Sequence, residues 1–205
     1  MSVEAVCARC KNAISFSWDY PYATCPPCRV EEAILVGICP GWSVLDVGAG
    51  LGRYHKALHA KTDGNLVLLD AHLPNIVAHK PPSDATIFIG DALKILPTLM
   101  PRIFDAVIAI DVIEHLEKSD ARVLIDEMFR VAERRVLLFT PDGFMPQDRD
   151  NYNLGGDYWQ THRSGWTASE LRSLGFDVER WPDLHPNGFG ALWAEARVIP
   201  PPIAL

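Results

Sequence analysis

Five short apolar runs, each of strand length, recur along the chain after Arg29. Segments that can form helices separate them, and the runs read SVLDV, NLVLLD, ATIFIG, FDAVIAID and RRVLLFTP. Continuous rather than alternating apolar runs suit strands that are buried on both faces. Strands that alternate with helices build a parallel sheet covered by helices. The sequence therefore predicts an α/β fold around a doubly wound, mostly parallel sheet.

Two of the connecting helices have recognisable ends. SDARVLIDEMFRVAE carries apolar residues at helical spacing, with Val123 on the predicted apolar face and Ser119 placed to cap the first turn. Further on, Thr167 and Glu170 have the spacing of a capping box. The helix that they open is expected to end at Gly175.

Length and charge limit the classes of function. The chain has 205 residues, 48% of them hydrophobic, and a net charge of -7, which allows one α/β core with a small appendage. The apolar runs are too short to cross a membrane, and the first four residues do not have the pattern of a signal peptide, so we expect a cytoplasmic protein without a membrane partner. The acidic balance argues against a large nucleic-acid interface.

Four of the five cysteines form two closely spaced pairs near the N-terminus. Each pair has the spacing C-x2-C, fourteen residues separate the pairs, and the four are Cys7, Cys10, Cys25 and Cys28. Two such knuckles supply the four thiolates that tetrahedral Zn²⁺ prefers, and the residues between the pairs can form a β-hairpin. Disulfides and a redox-active CxxC are the alternatives, and a reducing compartment disfavours the first.

The cysteine pattern also sets the predicted domain boundary. We expect a small zinc ribbon over residues 1–30, which folds when it binds metal, and a second domain over residues 31–205. Cys39 lies outside the four-cysteine set and is expected to be a buried small hydrophobic residue.

The run VLDVGAGLGRY combines a strand, a glycine turn and the start of a helix. Gly48, Gly50 and Gly52 follow the strand at alternate positions. Such a turn brings bare backbone and free N–H groups next to a ligand. The dinucleotide fingerprint GxGxxG requires the third glycine one residue later, so the turn does not match that motif.

Three further apolar runs end in an acidic residue. These residues are Asp70, Asp91 and Asp111. The carboxyl ends of neighbouring parallel strands face one crevice, so the three carboxylates should surround a common ligand. A single strand-terminal Asp is as often only a turn former, but three in series after a glycine turn favour a binding site.

Together these segments resemble the class I S-adenosylmethionine-dependent methyltransferases from about Gly41 onward. VLDVGAGLGRY is similar to their first motif, LLD to their second-strand acid, GDALKILP to their third-strand region and FDAVIAIDVIEHL to their fourth-strand signature. The resemblance implies a Rossmann-like, seven-stranded sheet with six parallel strands and an antiparallel seventh. DVERWPD and ALWAEARVI would form its final hairpin.

The resemblance also implies S-adenosylmethionine as cofactor and assigns its contacts. The glycine turn and Asp46 would approach the methionine end, Asp70 would bind the ribose hydroxyls, the segment at Asp91 would lie by the adenine, and that at Asp111 near the sulfonium. A carboxylate suits a ribose diol because it accepts two hydrogen bonds. The full expected set is Asp46, Gly48, Ala49, Gly50, Gly52, Asp70, Ala71, Asp91, Ala92, Asp111 and Val112.

Two histidines are candidate general bases for methyl transfer to the acceptor. The reaction is an in-line displacement, so the protein supplies alignment and, where the acceptor carries a proton, a base. His162 lies after the fifth strand, where substrates of such enzymes enter, and is preferred over His115, which has a structural or cofactor-side alternative.

The least regular segment, residues 141–166, is rich in aromatic side chains. Either it is a binding loop or its aromatic residues pack against one another, and the two interpretations are compatible. The expected acceptor contacts within it are Tyr158, Trp159, Arg163 and Trp166.

Three classes of function remain open. A small-molecule methyltransferase, acting on O, N or C, is favoured, because Asp111 to Glu114 lack the [N/D]PP[Y/F/W] motif of enzymes that methylate planar amines. The second class is an RNA or protein methyltransferase that recognises its substrate through the ribbon, as in the similar ribosomal RNA guanine methyltransferases. The third is a catalytically silent binding domain, which intact cofactor motifs disfavour.

Overall fold

The structure is a computed structural model that describes residues 4–6, 9, 13–15, 25–182, 184–185 and 188–199. Within these ranges no helix is long and apolar enough to cross a membrane. The strands are β1 (Glu4–Val6), β2 (Ala13–Ser15), β3 (Val44–Val47), β4 (Leu66–Asp70), β5 (Thr86–Ile89), β6 (Phe104–Ile110), β7 (Ala132–Pro141), β8 (Asp177–Trp181) and β9 (Ala191–Arg197). The helices are α1 (Pro26–Gly37), α2 (His55–Lys61), α3 (Leu73–His79), α4 (Ala92–Ile95), α5 (Lys118–Val131), α6 (Asp157–Gln160) and α7 (Ala168–Ser173).

Seven strands form one mixed sheet in the order β5-β4-β3-β6-β7-β9-β8. Strands β3 to β7 pair in parallel, and β9 is antiparallel to both β7 and β8. The predicted doubly wound sheet and its final hairpin are therefore confirmed. Pairing of Val47 with Leu69 on one side and Ala109 on the other brings the carboxyl ends of β3, β4 and β6 level with one another.

Helices cover both faces of the sheet. On one face, Ile34 of α1, Leu58 of α2 and Ile76 of α3 pack with the strands in one buried cluster. On the other face, Leu124 of α5 and Leu171 of α7 belong to a second buried cluster. The side chains of β3 are buried along its whole length, which explains why its sequence is continuously apolar rather than alternating.

The helix ends agree with the sequence at one place and differ at another. Thr167 caps α7 in the predicted capping box with Glu170, and Gly175 follows the helix at φ 96°. Ser119, in contrast, lies inside α5, whose N-cap position is Glu117. Val123 is half exposed, so its predicted place on the apolar face was wrong.

The N-terminal segment is described only in part. Strands β1 and β2 pair antiparallel, so the hairpin flanks the first cysteine pair rather than filling the interval between the pairs. Cys7 and Cys10 lie outside the described residues. Cys25 is the N-cap of α1, and Cys28 lies in its first turn. Helix α1 runs through the predicted domain boundary at residue 30. Cys39 is exposed rather than buried.

Candidate active site

Two adjoining cavities lie at the carboxyl ends of the parallel strands. The smaller, of about 430 Å³, extends along the ends of β3, β4 and β5. The larger, of about 940 Å³, lies between the glycine turn and residues 145–162. Their linings share Gly48, Gly50, Asp111, His115 and Gln160. A ligand in one cavity would therefore meet a ligand in the other at this common wall.

The three glycines of the turn are required for different reasons. All have positive φ, at 71°, 55° and 64° for Gly48, Gly50 and Gly52. A Cβ at Gly48 would lie 2.5 Å from Val112 Cγ2, and one at Gly52 would lie 2.1 Å from His79 Nε2. At Gly50 the nearest atom would be the Gly48 carbonyl oxygen at 3.6 Å. The space beside Gly50 is therefore available to a ligand, whereas the other two glycines make room for the protein itself.

Asp70 ties the end of β4 to this turn. One carboxylate oxygen accepts the Gly50 N–H at 2.7 Å, and the other accepts the His72 N–H at 2.7 Å. The side chain is buried, and burial raises the pKa of Asp70, while these hydrogen bonds oppose the rise. Asp70 lines the smaller cavity together with Ala71.

At the next strand end, Asp91 caps α4. Its carboxylate accepts the Leu93 N–H at 3.0 Å, and Lys94 lies 3.7 Å away. The side chain thus has the structural role that a strand-terminal Asp commonly has. Asp91 and Ala92 also line the smaller cavity, so the two roles coexist.

Asp46 is buried beneath the turn and belongs to a polar chain. His55 Nε2 lies 2.8 Å from its Oδ2, and His55 Nδ1 lies 2.8 Å from His79 Nε2. Because the carboxylate only accepts, His55 donates to Asp46 and accepts from His79. Asp46 and Ala49 line the larger cavity.

Asp111 and Glu114 form a pair of close carboxyl groups at the end of β6. Asp111 has a left-handed backbone with φ 54° and is exposed to both cavities. Desolvation by the protein packed around it raises the pKa of Asp111 above its usual range. Burial and the Asp111 charge also raise the pKa of Glu114 well above its usual range. The two groups do not readily ionise together.

The two candidate bases lie side by side. The rings of His115 and His162 have their centroids 4.8 Å apart at 69°. His162 Nδ1 lies 2.6 Å from the Met145 carbonyl oxygen, and His162 is buried. Burial lowers the pKa of His162, and burial followed by the neighbouring His162 lowers the pKa of His115 to about 4. Both rings are therefore neutral near pH 7.

The irregular segment contributes to both cavities, but not as expected. Tyr158, Trp159 and Arg163 line the smaller cavity, where Arg163 stacks 4.7 Å from the Tyr158 ring centre. Trp166 lines neither cavity, because it is fully buried in the core and donates its indole N–H to Ser164 Oγ at 3.1 Å. The larger cavity is lined instead by residues 145–149, 151–152, 160 and 162 of the segment.

Several lining residues are not among the site residues predicted from the sequence. Glu114, Gln147, Arg149 and His185 line the larger cavity, and Asn75 the smaller. Glu114 has a signal in the sequence, since it precedes His115 just beyond a buried strand. The others have none, because long-range packing brings them to the site.

Comparison with known proteins agrees with this geometry. Residues 45–140 match the family model described as a methyltransferase domain. A search of curated proteins finds no match. Among solved structures, magnesium protoporphyrin IX methyltransferase from Synechocystis PCC 6803 with bound SAH is similar at 19% identity and a TM-score of 0.58, covering 85% of this chain and 84% of that one.

Two further solved structures share the fold at lower identity. YcgJ from Bacillus subtilis aligns at 14% identity and a TM-score of 0.65, and the alignment covers 85% of this chain and 100% of that one. Phosphoethanolamine N-methyltransferase 2 from Haemonchus contortus aligns at 14% identity and a TM-score of 0.59, covering 84% of this chain and 53% of that one.

The seven-stranded fold is similar to that of methyltransferases of known structure, and the matched residues include the strands that form the carboxyl edge of the sheet. The match over residues 45–140 and the shared fold support an enzyme with a methyltransferase domain.

Proposed function

We propose that the smaller cavity binds S-adenosylmethionine and the larger cavity binds a small-molecule methyl acceptor. The observation that carries the proposal is the wall common to both cavities, formed by Gly48, Gly50 and Asp111 with neighbouring residues. Methyl transfer needs the acceptor atom in line with the sulfonium and its methyl group, and two cavities that meet at one wall allow this alignment.

Residues of the smaller cavity support the proposed cofactor site. The backbone beside Gly50 is open to a ligand, and the Asp70 carboxylate, at the end of β4, can accept hydrogen bonds from a ribose diol. Asp111 lies at the common wall. A carboxylate there stabilises the positively charged cofactor more than its neutral product.

The size of the larger cavity supports a small acceptor. A volume of about 940 Å³ is in the range of small-molecule sites, and apolar and polar side chains such as Tyr152, Gln147 and Arg149 line it. Two similar structures are named for small-molecule substrates, magnesium protoporphyrin IX and phosphoethanolamine. We therefore propose O-, N- or C-methylation of a small molecule. The reacting atom of the acceptor would lie near the imidazole rings of His162 and His115, which line the larger cavity.

We further propose that the four N-terminal cysteines bind one structural zinc ion. Cys25 and Cys28 occupy the N-cap and the first turn of α1, where the helix N-terminus stabilises thiolates. Chain order puts Cys7 and Cys10 in the connection between the paired strands β1 and β2. A hairpin followed by a helix N-terminus can direct four thiolates to one tetrahedral ion. Zinc would hold this segment in place and take no part in methyl transfer.

The function is tested by binding and by transfer. Calorimetry should show S-adenosylmethionine binding by the full chain, with no comparable binding of NAD. Incubation with methyl-labelled cofactor and separate pools of small metabolites, RNA and protein should then label the small-molecule pool. Label confined to RNA or protein would instead favour recognition through the cysteine segment. Cofactor binding without transfer to any pool would favour a silent domain.

A further inference from the structure

Glu114, His115 and His162 bring their side-chain donor atoms together on the wall of the larger cavity. One ligand atom from each lies within 4.8 Å of the others. Two histidines and one carboxylate are a common donor set for a divalent transition-metal ion that keeps open coordination positions.

The hydrogen bonds of the two histidines engage the Nδ1 atom of each ring. His162 Nδ1 lies 2.6 Å from the Met145 carbonyl oxygen, and His115 Nδ1 lies 3.4 Å from that of Thr161. A carbonyl oxygen only accepts, so both Nδ1 atoms carry the proton and both Nε2 atoms carry a lone pair. Metal-binding histidines show this arrangement, because the bond at one nitrogen orients the other towards the ion.

Glu114 supplies an independent sign of a missing ligand. Its side chain is 2% exposed, and Oε2 accepts the Thr140 hydroxyl at 2.9 Å. The other oxygen, Oε1, is buried and has no hydrogen-bond donor among the described residues. Its polar neighbour is the Asp111 carboxyl group, with which Glu114 shares a proton unless a cation lies beside the pair. A buried carboxylate oxygen without a donor is unfavourable unless a cation or a proton compensates it.

The backbone around Glu114 is held firmly. Its carbonyl oxygen accepts the N–H groups of Arg163 at 2.7 Å and Ser164 at 3.0 Å. These two bonds fix the segment that carries His162 against the segment that carries Glu114 and His115. The three donors are therefore placed by paired backbone rather than by chance contact of mobile loops.

We propose that Glu114, His115 and His162 bind one divalent transition-metal ion, which coordinates an oxygen atom of the methyl acceptor. This inference rests on the proposed function for the role of the ion, but not for its binding. Imidazole with carboxylate favours Mn²⁺, Fe²⁺, Co²⁺ or Zn²⁺ over Mg²⁺. Two donors at about 2.1 Å from one ion lie at most about 4.2 Å apart, so binding draws the cluster slightly together.

The ion orients the acceptor and makes its oxygen atom a stronger nucleophile. A hydroxyl group that binds the ion loses its proton to solvent more readily. The resulting oxyanion attacks the methyl carbon of the cofactor and forms a C–O bond, while the C–S bond breaks and its electron pair remains on sulfur. The products are a methyl ether and neutral S-adenosylhomocysteine. The acceptor class is therefore an oxygen nucleophile.

Metal binding is measured on the full chain by titration with Mn²⁺, followed by the loss of the electron paramagnetic resonance signal of the free ion. Mn²⁺ is chosen because thiolates prefer softer ions, so the cysteine segment does not compete. We expect one site per chain. His162→Gln and Glu114→Gln should each lower its affinity more than about tenfold. Co²⁺ serves as a second probe, since its visible spectrum separates thiolate from imidazole ligands.

The matched control is His59→Gln, which removes a histidine that pairs with Asp84 and lines neither cavity. It should leave the site unchanged. S-adenosylhomocysteine affinity, measured on each variant, shows that the fold is intact and tests the cofactor site separately. The proposal fails if folded wild-type protein binds neither ion at this cluster, or if binding persists in both variants. If the metal does not bind but the cofactor does, the proposed function is unaffected and His162 is again a candidate general base.

Discussion

Gly50 differs from its neighbours in the glycine turn because the space beside its Cα is open to the cavities. A methyl group at Gly48 or Gly52 would collide with Val112 or His79. A methyl group at Gly50 would collide with nothing close, but it would project where we propose that the cofactor lies. Mutation can therefore separate folding from binding within one turn.

We expect Gly50→Ala to fold and to bind S-adenosylmethionine at least about tenfold more weakly, because the left-handed backbone adds only about 1 kcal/mol of strain. Gly52→Ala should instead lower the free energy of unfolding by more than this strain, because the His79 ring must move. Calorimetry and urea denaturation on both variants make the comparison. Equal cofactor affinity in Gly50→Ala and wild type would contradict the binding site.

Asp70→Ala removes the carboxylate that would hold the ribose. The loss of two charge-assisted hydrogen bonds should weaken cofactor binding by roughly 2 to 3 kcal/mol, or some thirtyfold. Because Asp70 also accepts two backbone N–H groups, Asp70→Asn serves as the isosteric variant and should be weakened in the same direction. Asp84→Ala, on the surface, should bind as wild type does. Unchanged affinity in folded Asp70→Ala would overturn the assignment.

The hydrogen-bonded series of Asp46, His55 and His79 predicts an effect of pH on the free energy of unfolding. Burial, and then His55, lower the pKa of His79 below its ordinary value of 6.5, and its Nδ1 is buried without a partner among the described residues. As pH falls below about 6.5, the unfolded chain binds a proton at His79 that the folded chain resists, so stability decreases. Above that pH both states are neutral, and the contribution is constant.

Urea midpoints at pH 8 and pH 5.5 measure this effect. His79→Gln should show a smaller decrease between the two pH values than wild type, while His59→Gln, which changes a surface pair, should show the wild-type decrease. An identical pH dependence in wild type and His79→Gln would show that His79 does not resist protonation in the fold.

At the scale of elements, the short helix α6 covers the cofactor cavity rather than the acceptor cavity. Tyr158 and Trp159, on α6, line the smaller cavity, while Tyr152, in the preceding loop, lines the larger one. The aromatic segment is thus divided between the two ligands.

Trp159→Ala should therefore weaken S-adenosylmethionine binding by about tenfold, through the loss of apolar contact. Tyr152→Ala should leave cofactor affinity within about twofold and raise KM for the acceptor. Phe144→Ala, exposed and lining neither cavity, is the control within the same segment. If Trp159→Ala impairs transfer alone, α6 belongs to the acceptor site, as the sequence first suggested.

The sequence predicted the elements that depend on local patterns, but not the features that depend on tertiary packing. Strands β3 to β7 coincide with the five apolar runs, whereas the β8–β9 hairpin was expected only from the family resemblance. The capping box of Thr167 depends only on residues three apart. Val123 was misplaced because the spacing alone does not set which neighbouring residues of a helix face the sheet. The approach of His162 to Glu114 depends on loop backbone bonds between distant segments, which no local pattern contains.

For the whole molecule, the first turn of α1 joins the proposed zinc segment to the core. Cys28 lies in that turn, and Val30 and Ile34 are buried against the sheet.

Cys28→Ser should remove one zinc per chain, lower the melting temperature and increase amide hydrogen exchange at Val30. Cys39→Ser, exposed and outside the four-cysteine set, should retain metal and stability. Metal analysis of protein purified without chelators decides the matter, and the absence of zinc in wild type would refute the site.

The aromatic segment contributes walls to both cavities, and this arrangement has a consequence for the order of kinetic events. Its end is fixed by the bonds of Arg163 and Ser164 to Glu114, so it is the part before them, with α6 and Tyr152, that a ligand would order further, and the ligand that binds first would lower the entropy that the second must lose. The cofactor, under α6, would precede the acceptor, and S-adenosylhomocysteine would leave last. Turnover would then be governed by the opening of this segment, and accumulated S-adenosylhomocysteine would slow the enzyme by competing with S-adenosylmethionine for the free form.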